Sequence, residues 1–283
     1  MSDVSYPAAS ATAAAMEAVP DLSGMQGGME LAGGASSSIL GKAFAILETF
    51  NRDRGLMTLS QISRRSGLPK STAHRVVKML VELDALARYG EDYRLGPRMF
   101  SFGSRSAEIA LQEYSMPHLV AVATQCRQLV QLGVLRDREV LYLAKVGGRG
   151  ALNPVPVGDR LAAHVTALGK AILAFSGQET LRGVTAVPLA RHTNSTITDP
   201  HVLASALARV RTDKVATDLE ECIDGLRCVA VPIFSATEVV AAISVSYPAS
   251  LGSGRAFVGP LQTAATRISR SLRRGDTAVL TGM

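Results

Sequence analysis

The segment Thr58-Leu-Ser-Gln-Ile-Ser-Arg-Arg-Ser-Gly-Leu-Pro-Lys-Ser-Thr-Ala-His-Arg-Val-Val-Lys-Met-Leu80 determines the architecture of the N-terminal region. It contains two short helical patterns separated by a tight turn. Thr58 and Gln61 form the pattern of a capping box, which begins the first helix. Gly67 can adopt the left-handed conformation that ends a helix, and Pro69 suits the first turn of the next one. Two helices joined in this way are typical of a helix-turn-helix.

The second helix of this motif has an apolar and a polar face. Its apolar residues recur at helical spacing and predict one buried stripe, formed by Ala73, Val76, Val77, Leu80 and Val81. Basic and hydroxyl-bearing side chains fall on the opposite face, where a recognition helix meets DNA. The residues that we predict to contact bases or phosphates are Gln61, Lys70, Ser71, Thr72, His74, Arg75, Lys78 and Arg94. Most basic helix faces are only solvated surfaces, so this interpretation needs support from the rest of the chain.

A hairpin is predicted directly after the second helix. Strand-like runs at 85–89 and 93–95 flank a Gly/Asp turn, and a hairpin in this place is a wing. Arg88 and Arg94 lie where a wing would touch phosphate. Upstream, a further apolar stripe predicts a helix that completes the core, with the members Leu40, Ala43, Phe44, Leu47 and Phe50. The unit is predicted as a winged helix over residues 38–97.

Positive charge is concentrated in the same unit. Residues 40–100 contain eleven basic and six acidic residues, a balance of +5 in a chain whose net charge is +6. Concentrated positive charge on a helix-turn-helix is the electrostatic signature of a protein that binds the phosphate backbone. The sequence therefore predicts double-stranded operator DNA as a partner.

Composition sets the remaining bounds. With 283 residues, of which 47% are hydrophobic, the chain can form a second core beyond the wing. No apolar run approaches the roughly 18 residues of a membrane span, so no membrane partner is expected. The three cysteines, Cys126, Cys222 and Cys228, are an odd number without zinc-type spacing. We therefore expect a reducing, cytoplasmic setting, without disulfides, metal or cofactor.

The two ends of the chain carry no predicted fold. Residues 1–37 contain no Lys or Arg and are rich in Ala, Gly, Ser and Met. A signal peptide needs a positive start and a continuous apolar stretch, and this segment has neither. We expect a disordered leader at 1–37 and a flexible tail at 275–283.

The region beyond the wing shows mixed strand and helix patterns, which favour an α+β layer. Strands are predicted at Leu129–Leu135, Glu139–Val146, Cys228–Phe234 and Val239–Ser246, and helices at Thr166–Phe175, 201–213 and Ala256–Leu272. Thr166 and Asp199 are the expected helix caps. Between the two regions, Pro97–Tyr114 has a helical pattern and would couple them.

Four segments resemble the IclR-type family of transcriptional regulators, over about residues 38–273. They are Leu68-Pro-Lys-Ser-Thr-Ala-His-Arg75, Tyr93-Arg-Leu-Gly-Pro97, Val157-Gly-Asp-Arg-Leu-Ala-Ala-His-Val-Thr-Ala-Leu-Gly-Lys-Ala171 and Asp218-Leu-Glu-Glu-Cys-Ile-Asp-Gly-Leu-Arg-Cys-Val-Ala-Val-Pro232. The resemblance implies an α+β protein with an N-terminal winged helix-turn-helix, a linker helix at 98–115 and a C-terminal GAF/PAS-like α/β effector-binding domain at 116–274. It also implies a homodimer or a dimer of dimers.

The resemblance further implies that the C-terminal domain binds a small organic effector, often a carboxylate. Backbone N–H groups at a helix start would face this ligand. The positions that match the family's pocket are Asn153, Leu161, Ala167, Leu168, Asp218, Leu226, Cys228, Ala230, Ser244 and Ser246. The spacing of two residues within each strand places each set on one strand face. Ala162 stands where the family often has proline.

Each of these positions also has a plain structural interpretation. Cys228 fits an ordinary buried cysteine. Ser244 and Ser246 would be solvated if their neighbours packed inward instead. Asp218 fits a residue that caps a turn, and His164 fits a structural histidine. A metal site at Asp218, Glu220, Glu221 and Cys222 lacks a histidine at ligand spacing.

The favoured function is a ligand-responsive regulator, repressor or activator, that binds a palindromic operator and senses a small organic acid. One alternative is a cysteine-dependent enzyme domain on a DNA-binding tether. Nucleophilic catalysis needs a base placed beside the nucleophile, and the five histidines show no such motif. We therefore expect no enzyme activity. A second alternative is a regulator whose pocket is filled by side chains and takes no effector.

Overall fold

The computed structural model describes residues 38–51, 55–148 and 155–273. The predictions for 1–37, for 275–283 and for Asn153 fall outside these ranges. The N-terminal domain contains α1 (Ile39–Glu48), β1 (Met57–Thr58), α2 (Leu59–Ser66), α3 (Lys70–Glu82), β2 (Leu86–Tyr89) and β3 (Asp92–Leu95). The helix-turn-helix and the wing lie where the sequence predicts them.

The start and the end of α2 follow the predicted chemistry, and Pro69 is the residue directly before α3. The Thr58 N–H donates to Gln61 Oε1 over 2.8 Å, and the Gln61 N–H donates to Thr58 Oγ1 over 3.2 Å. This reciprocal pair satisfies free donors at the start of α2. Gly67 ends α2 with φ at 68°, a left-handed conformation that glycine adopts without strain. The capping box and the left-handed end of α2 are confirmed.

The core of this domain differs from the prediction at α1. The stripe of α3 is confirmed, with Val81 only half buried. On α1, however, Leu40 is 70% and Phe44 is 55% exposed, so their assignment to the core was wrong. The helix instead packs through Ile46, beside the buried Phe50 that follows it. Residues 43, 46, 47 and 50 also form a helical stripe, and 40 and 44 lie to one side of it.

The wing has a third strand that the sequence did not indicate. β1 pairs with β3 through Met57 and Tyr93, so the sheet order is β1-β3-β2. A two-residue strand is too short to show the alternation on which strand prediction depends. The sheet ties the start of α2 to the wing, which fixes the wing against the helix-turn-helix.

The linker consists of two helices, not the single helix predicted for 98–115. They are α4 (Pro97–Gly103) and α5 (Ala107–Cys126). Ser106 interrupts the helical path by capping α5, and its Oγ accepts from the Ile109 N–H. The domain boundary predicted at residue 116 lies inside α5, which continues into the C-terminal domain.

The C-terminal domain is built on one six-stranded antiparallel sheet with the order β6-β5-β4-β9-β8-β7. The strands are β4 (Leu129–Arg136), β5 (Glu139–Val146), β6 (Arg160–Ala162), β7 (Ala216–Leu219), β8 (Leu226–Ser235) and β9 (Glu238–Pro248). The helices are α6 (Ala167–Leu173), α7 (Gln178–Thr185), α8 (Pro200–Asp213) and α9 (Arg255–Arg273). Each strand and helix predicted for this domain is present, with ends shifted by at most two residues.

The sheet separates two apolar cores. The face formed by Val130, Leu132 and Val134 packs with α5 and α9. The opposite face packs with α6 and α8. Because neighbouring residues of a strand point to opposite faces, β4 and β9 contact the linker on one side and α6 on the other. The result is an α+β fold, and no helix among the described residues is long and apolar enough to cross a membrane.

Candidate functional site

The polar face of α3 is open to solvent. Lys70, Ser71, His74, Arg75 and Lys78 are exposed, and Thr72 is half buried. The helix buries its other face in the domain core, so these six side chains project together from one surface. The structure therefore brings together the candidates that the sequence placed on this helix.

Several basic groups near this surface already have partners. Arg94 lies with its guanidinium 4.0 Å from the centre of the Tyr89 ring and donates to the Tyr89 hydroxyl. Arg88 pairs with Glu91 of the wing turn over 2.8 Å. Lys78 lies 4.0 Å from Glu82, one helical turn away.

The two remaining cations of α3 are more accessible to a ligand. Lys70 and Arg75 have no ion-pair partner among the described residues. Gln61 differs from both, because its Oε1 closes the capping box. Lys70 and Arg75 are therefore the cations of this face that a phosphate or base could bind without displacing an acidic partner.

A second candidate site is a buried pocket in the C-terminal domain, between the start of α6 and the strands β4, β7, β8 and β9. Its lining residues are Gln131, Tyr142, Thr166, Ala167, Leu168, Asp218, Cys222, Leu226, Cys228 and Ser244. The pocket is small. Its cavity volume is only about 10 Å³, which is about the room for one water molecule.

Six of the ten residues assigned to this site line the pocket, namely Ala167, Leu168, Asp218, Leu226, Cys228 and Ser244. Leu161 is buried in β6, opposite Val140. Ala230 is buried in β8, opposite Ser244. Ser246 is buried and does not line the pocket. Its Oγ lies 3.0 Å from Cys228 Sγ. Asn153 falls outside the described residues.

Both strand serines are buried, and so are the neighbours that would have replaced them. Ser244 is 1% exposed, while Ile243 and Val245 belong to the core on the α5 side. The sheet is covered by helices on both faces, so the serines and the aliphatic residues are both buried. Ser244 faces the pocket beside α6, and Ile243 and Val245 face α5.

Four lining residues were not assigned to the effector site from the sequence, namely Gln131, Tyr142, Thr166 and Cys222. Gln131 is the most informative of them. Its Oε1 accepts from Ser244 Oγ over 3.1 Å and from Ser246 Oγ over 2.8 Å. Its Nε2 is buried and has no hydrogen-bond partner among the described residues. The only signal in the sequence was a lone amide within an apolar strand, which does not reveal the neighbouring serines more than 100 residues away.

Asp218 is the acidic group of the pocket wall. It is 1% exposed, and its Oδ1 accepts from the Glu221 N–H over 2.7 Å. Burial raises the pKa of Asp218 to about 7, although the nearby charge of Lys170 and the backbone hydrogen bonds lower it. The Asp218 carboxyl is therefore partly protonated near neutral pH.

A buried ion pair lies beside Asp218. Lys170 of α6 donates to Glu221 Oε1, and the two side chains are 3% and 8% exposed. Glu221 Oε2 has no hydrogen-bond partner among the described residues. Since the Glu221 backbone also donates to Asp218, the pair joins the start of α6 to the loop after β7. No local pattern in the sequence indicates this pairing, because 51 residues separate Lys170 from Glu221.

Cys222, Cys228 and His164 have the properties of structural residues. Burial raises the pKa of the Cys228 thiol, and the charge of Asp218 raises it further. Burial likewise raises the pKa of Cys222. A nucleophilic cysteine needs a lowered pKa. His164 Nε2 lies 3.0 Å from the Ala190 carbonyl oxygen, and burial lowers its pKa.

The acidic cluster suggested as a metal site does not assemble. Among residues 38–51, 55–148 and 155–273, no group of three or more His, Cys, Asp or Glu side chains is arranged to hold a metal ion. Glu220 instead pairs with Arg227 over 2.8 Å. Glu221 is held by Lys170.

The exposed basic helix and the enclosed pocket place the protein among DNA-binding transcriptional regulators with a ligand-binding domain. The IclR helix-turn-helix domain matches residues 40–90, and the domain described as bacterial transcriptional regulator IclR C-terminal matches residues 106–270. The chain therefore belongs to the IclR family. Members of this family regulate transcription and are not enzymes, so the cysteine-dependent alternative is set aside.

Individual relatives cover most of the chain. The HTH-type transcriptional regulator KdgR of Dickeya chrysanthemi is 32% identical over 257 residues, which are 85% of this chain and 81% of KdgR. XynR of Escherichia coli K12 is 32% identical over 211 residues, which are 72% of this chain and 84% of XynR. The fold is similar to that of an IclR homologue from Microbacterium hydrocarbonoxydans complexed with 4-hydroxybenzoate. The TM-score is 0.77 at 35% identity, covering 84% of this chain and all of that one.

Proposed function

We propose that this regulator binds a palindromic operator as a homodimer or a dimer of dimers and senses a small organic acid in its C-terminal pocket. The observation that carries the DNA-binding part is the polar face of α3. Its two cations Lys70 and Arg75 are exposed and have no acidic partner among the described residues. Such a protein acts where the DNA is, which for a bacterial regulator is the cytoplasm.

The candidate residues have different roles in this proposal. Lys70 and Arg75 lie where α3 would enter the major groove, together with Ser71, Thr72 and His74. Lys78 and Arg94 hold phosphate, at the cost of weakening their contacts with Glu82 and Tyr89. Gln61 contributes through its Nε2, because its oxygen already accepts from Thr58.

Exposed apolar side chains support self-association. Leu40 and Phe44 of α1 and Phe100 and Phe102 of α4 are 70%, 55%, 79% and 66% exposed. Large exposed apolar patches mark interaction sites, and these four side chains are the candidates for such a patch. A second copy that covers them would pair two recognition helices, and a two-fold protein reads a palindromic site.

The pocket chemistry supports an organic acid as the effector. The related structure from Microbacterium hydrocarbonoxydans contains the carboxylate 4-hydroxybenzoate. In this chain the pocket offers a buried amide donor on Gln131 and a carboxyl on Asp218 that gains a proton near neutral pH. Because the pocket has room for about one water molecule, an acid of any size must push its walls apart.

The sheet supplies a route from the pocket to the linker. Gln131 faces the pocket from β4, while Val130, Leu132 and Val134 of the same strand pack with α5. At the end of β4, Arg136 binds Glu108 of α5 over 2.5 Å. A shift of β4 on ligand binding would move α5 and, through α4, the DNA-binding domain.

Fluorescence anisotropy on the DNA upstream of the protein's own gene tests the DNA-binding part. The double variant Lys70→Ala/Arg75→Ala is compared with Arg209→Ala/Arg270→Ala, which removes two exposed arginines of the C-terminal domain. We expect the first to weaken operator binding by about 1–3 kcal/mol for each base that the two side chains read. The control should bind like the wild type. Equal binding by both variants would contradict the assignment of α3 as the recognition helix.

The small cavity also favours a second candidate, a regulator whose pocket is filled by side chains. The two functions differ in what a small acid does to the protein. An effector raises the melting temperature because it binds only the folded state. A filled pocket leaves the melting temperature unchanged at millimolar acid, while operator binding persists.

A further inference from the structure

Gln131 is a polar side chain in the middle of the sheet. It lies in β4 opposite Lys145 of β5 and Ser244 of β9, and it is 1% exposed. The other side chains on this strand from Leu129 to Leu135 are apolar apart from the glycine at 133. Buried amides are normally satisfied at both ends. This one is satisfied at its oxygen only.

Two hydroxyl groups fix the oxygen end. Ser244 Oγ and Ser246 Oγ both donate to Gln131 Oε1, over 3.1 and 2.8 Å. Ser246 Oγ also lies 3.0 Å from Cys228 Sγ, a contact in which either atom can be the donor. The two hydroxyl donors hold the carboxamide with its NH₂ group turned away from the serines.

The nitrogen end has no partner among the described residues although it is buried and Gln131 lines the pocket. Leaving a buried donor unpaired is unfavourable, so an acceptor placed beside it gains binding free energy. A carboxylate oxygen is an acceptor only and forms a charge-assisted bond, about twice as strong as a neutral one. An alcohol would bring its own proton, which needs a further acceptor.

We propose that Gln131 is a specificity-determining residue of the effector pocket, donating from Nε2 to a carboxylate oxygen of the effector while Ser244 and Ser246 fix its orientation. This inference rests on the proposed sensing of an organic acid. Asp218, which also lines the pocket, has a protonation state that is compatible with an acid ligand. Burial favours the protonated form of Asp218, and a protonated carboxyl does not repel an acid ligand. Two other charges nearby, Lys170 and Glu221, neutralise each other. The cation Lys145, opposite Gln131 on β5, donates to the Val155 carbonyl oxygen.

Calorimetric titration with a size series of acids tests the proposal on the full-length protein. The probes are formate, acetate, propionate, benzoate and 4-hydroxybenzoate, with the alcohol of the same skeleton for the acid that binds most tightly. Gln131→Met keeps the length of the side chain and removes both the donor and the acceptor for the two serines. Gln131→Glu keeps the acceptor for both serines and replaces the donor with an acceptor. The same changes at Gln125, exposed on α5, are the controls.

We expect Gln131→Met to weaken acid binding about 10- to 100-fold, as for the loss of a charge-assisted hydrogen bond. Gln131→Glu should weaken it at least as much, and neither variant should weaken alcohol binding to the same extent. Operator binding without acid shows that a variant is folded. If Gln131→Met does not fold, Gln131→Glu decides.

Three results would overturn the proposal, and they differ from one another. If the wild type and the Gln131 variants bind the acid with equal affinity, Gln131 does not contact the effector, although the effector is still an acid. An equal loss of acid and alcohol binding makes its role merely structural. No binding of any acid to the wild type removes the proposed acid effector and the role of Gln131 together.

Discussion

Replacing Asp218 with Asn is expected to remove a pH dependence of stability that burial creates in the C-terminal domain. Asp218 is buried in the pocket wall, and its pKa in the folded protein is about 7. An unfolded aspartate has a pKa of about 3.9. Between these two values the folded protein keeps a proton that the unfolded chain has released.

The sign and size of the effect follow from this difference. The folded state binds more protons between about pH 4 and pH 7, so the unfolding free energy falls as the pH rises through this range. The contribution of Asp218 is fully present below about pH 4 and is lost above about pH 7. At about 1.4 kcal/mol per pH unit, the change is on the order of 4 kcal/mol.

Urea unfolding between pH 4 and 8, at one protein concentration, measures this contribution. Asn keeps an oxygen for the Glu221 N–H and does not titrate, so the difference in stability between Asp218→Asn and the wild type should grow with pH by on the order of 4 kcal/mol. Asp224→Asn, in the exposed part of the same loop, is the control and should run parallel to the wild type. If the curve for Asp218→Asn also runs parallel to that of the wild type, Asp218 does not carry a raised pKa in the folded protein.

Two further perturbations test the packing around the pocket. Lys170→Met leaves the buried Glu221 carboxylate without its cation, so we expect a loss of about 3–5 kcal/mol in urea unfolding, and a much smaller loss in Lys170→Met/Glu221→Gln. Additive losses would show that the pair is not coupled. In Gly169→Ala the new Cβ would lie 2.1 Å from the Ala163 carbonyl oxygen, so we expect a loss of about 1–3 kcal/mol and a displaced α6. Gly183→Ala, with open space around it, should cost nothing, and equal melting temperatures for the two variants would disprove the close approach.

The regular elements could be predicted from the sequence because their signals are local. The capping box at Thr58 and Gln61, the left-handed Gly67 and the caps Thr166 and Asp199 each depend on residues within one helical turn. The strands of the C-terminal sheet showed as apolar runs between turns. Local chemistry was enough to locate these elements, although the strands are stabilised by distant partners, such as β9 beside β4.

The errors arose where a choice depended on residues far away. On α1 two apolar stripes overlap, and the rest of the domain selects the one with Ile46 over the one with Leu40 and Phe44. The linker looked helical throughout, and the Ser106 cap that divides it resembles any serine in a helical pattern. The two-residue strand β1 has no pattern of its own.

The pocket was predicted only in part for the same reason. The positions matched to the family were found, and six of them line the pocket. Gln131 was missed because its meaning depends on Ser244 and Ser246, which approach it only in the folded sheet. The Lys170–Glu221 pair is likewise formed between α6 and the loop after β7.

We propose that the pocket and the DNA-binding surface are coupled through the sheet and the linker. Titration of the operator with wild-type protein, in the absence and the presence of a saturating acid identified by calorimetry, measures this coupling. Binding free energies are reciprocal, so an acid that changes operator affinity must have its own affinity changed by operator to the same extent. We expect a shift of at least about fivefold, in either direction and equal in both titrations. An acid that binds in the pocket and leaves operator affinity unchanged would contradict it.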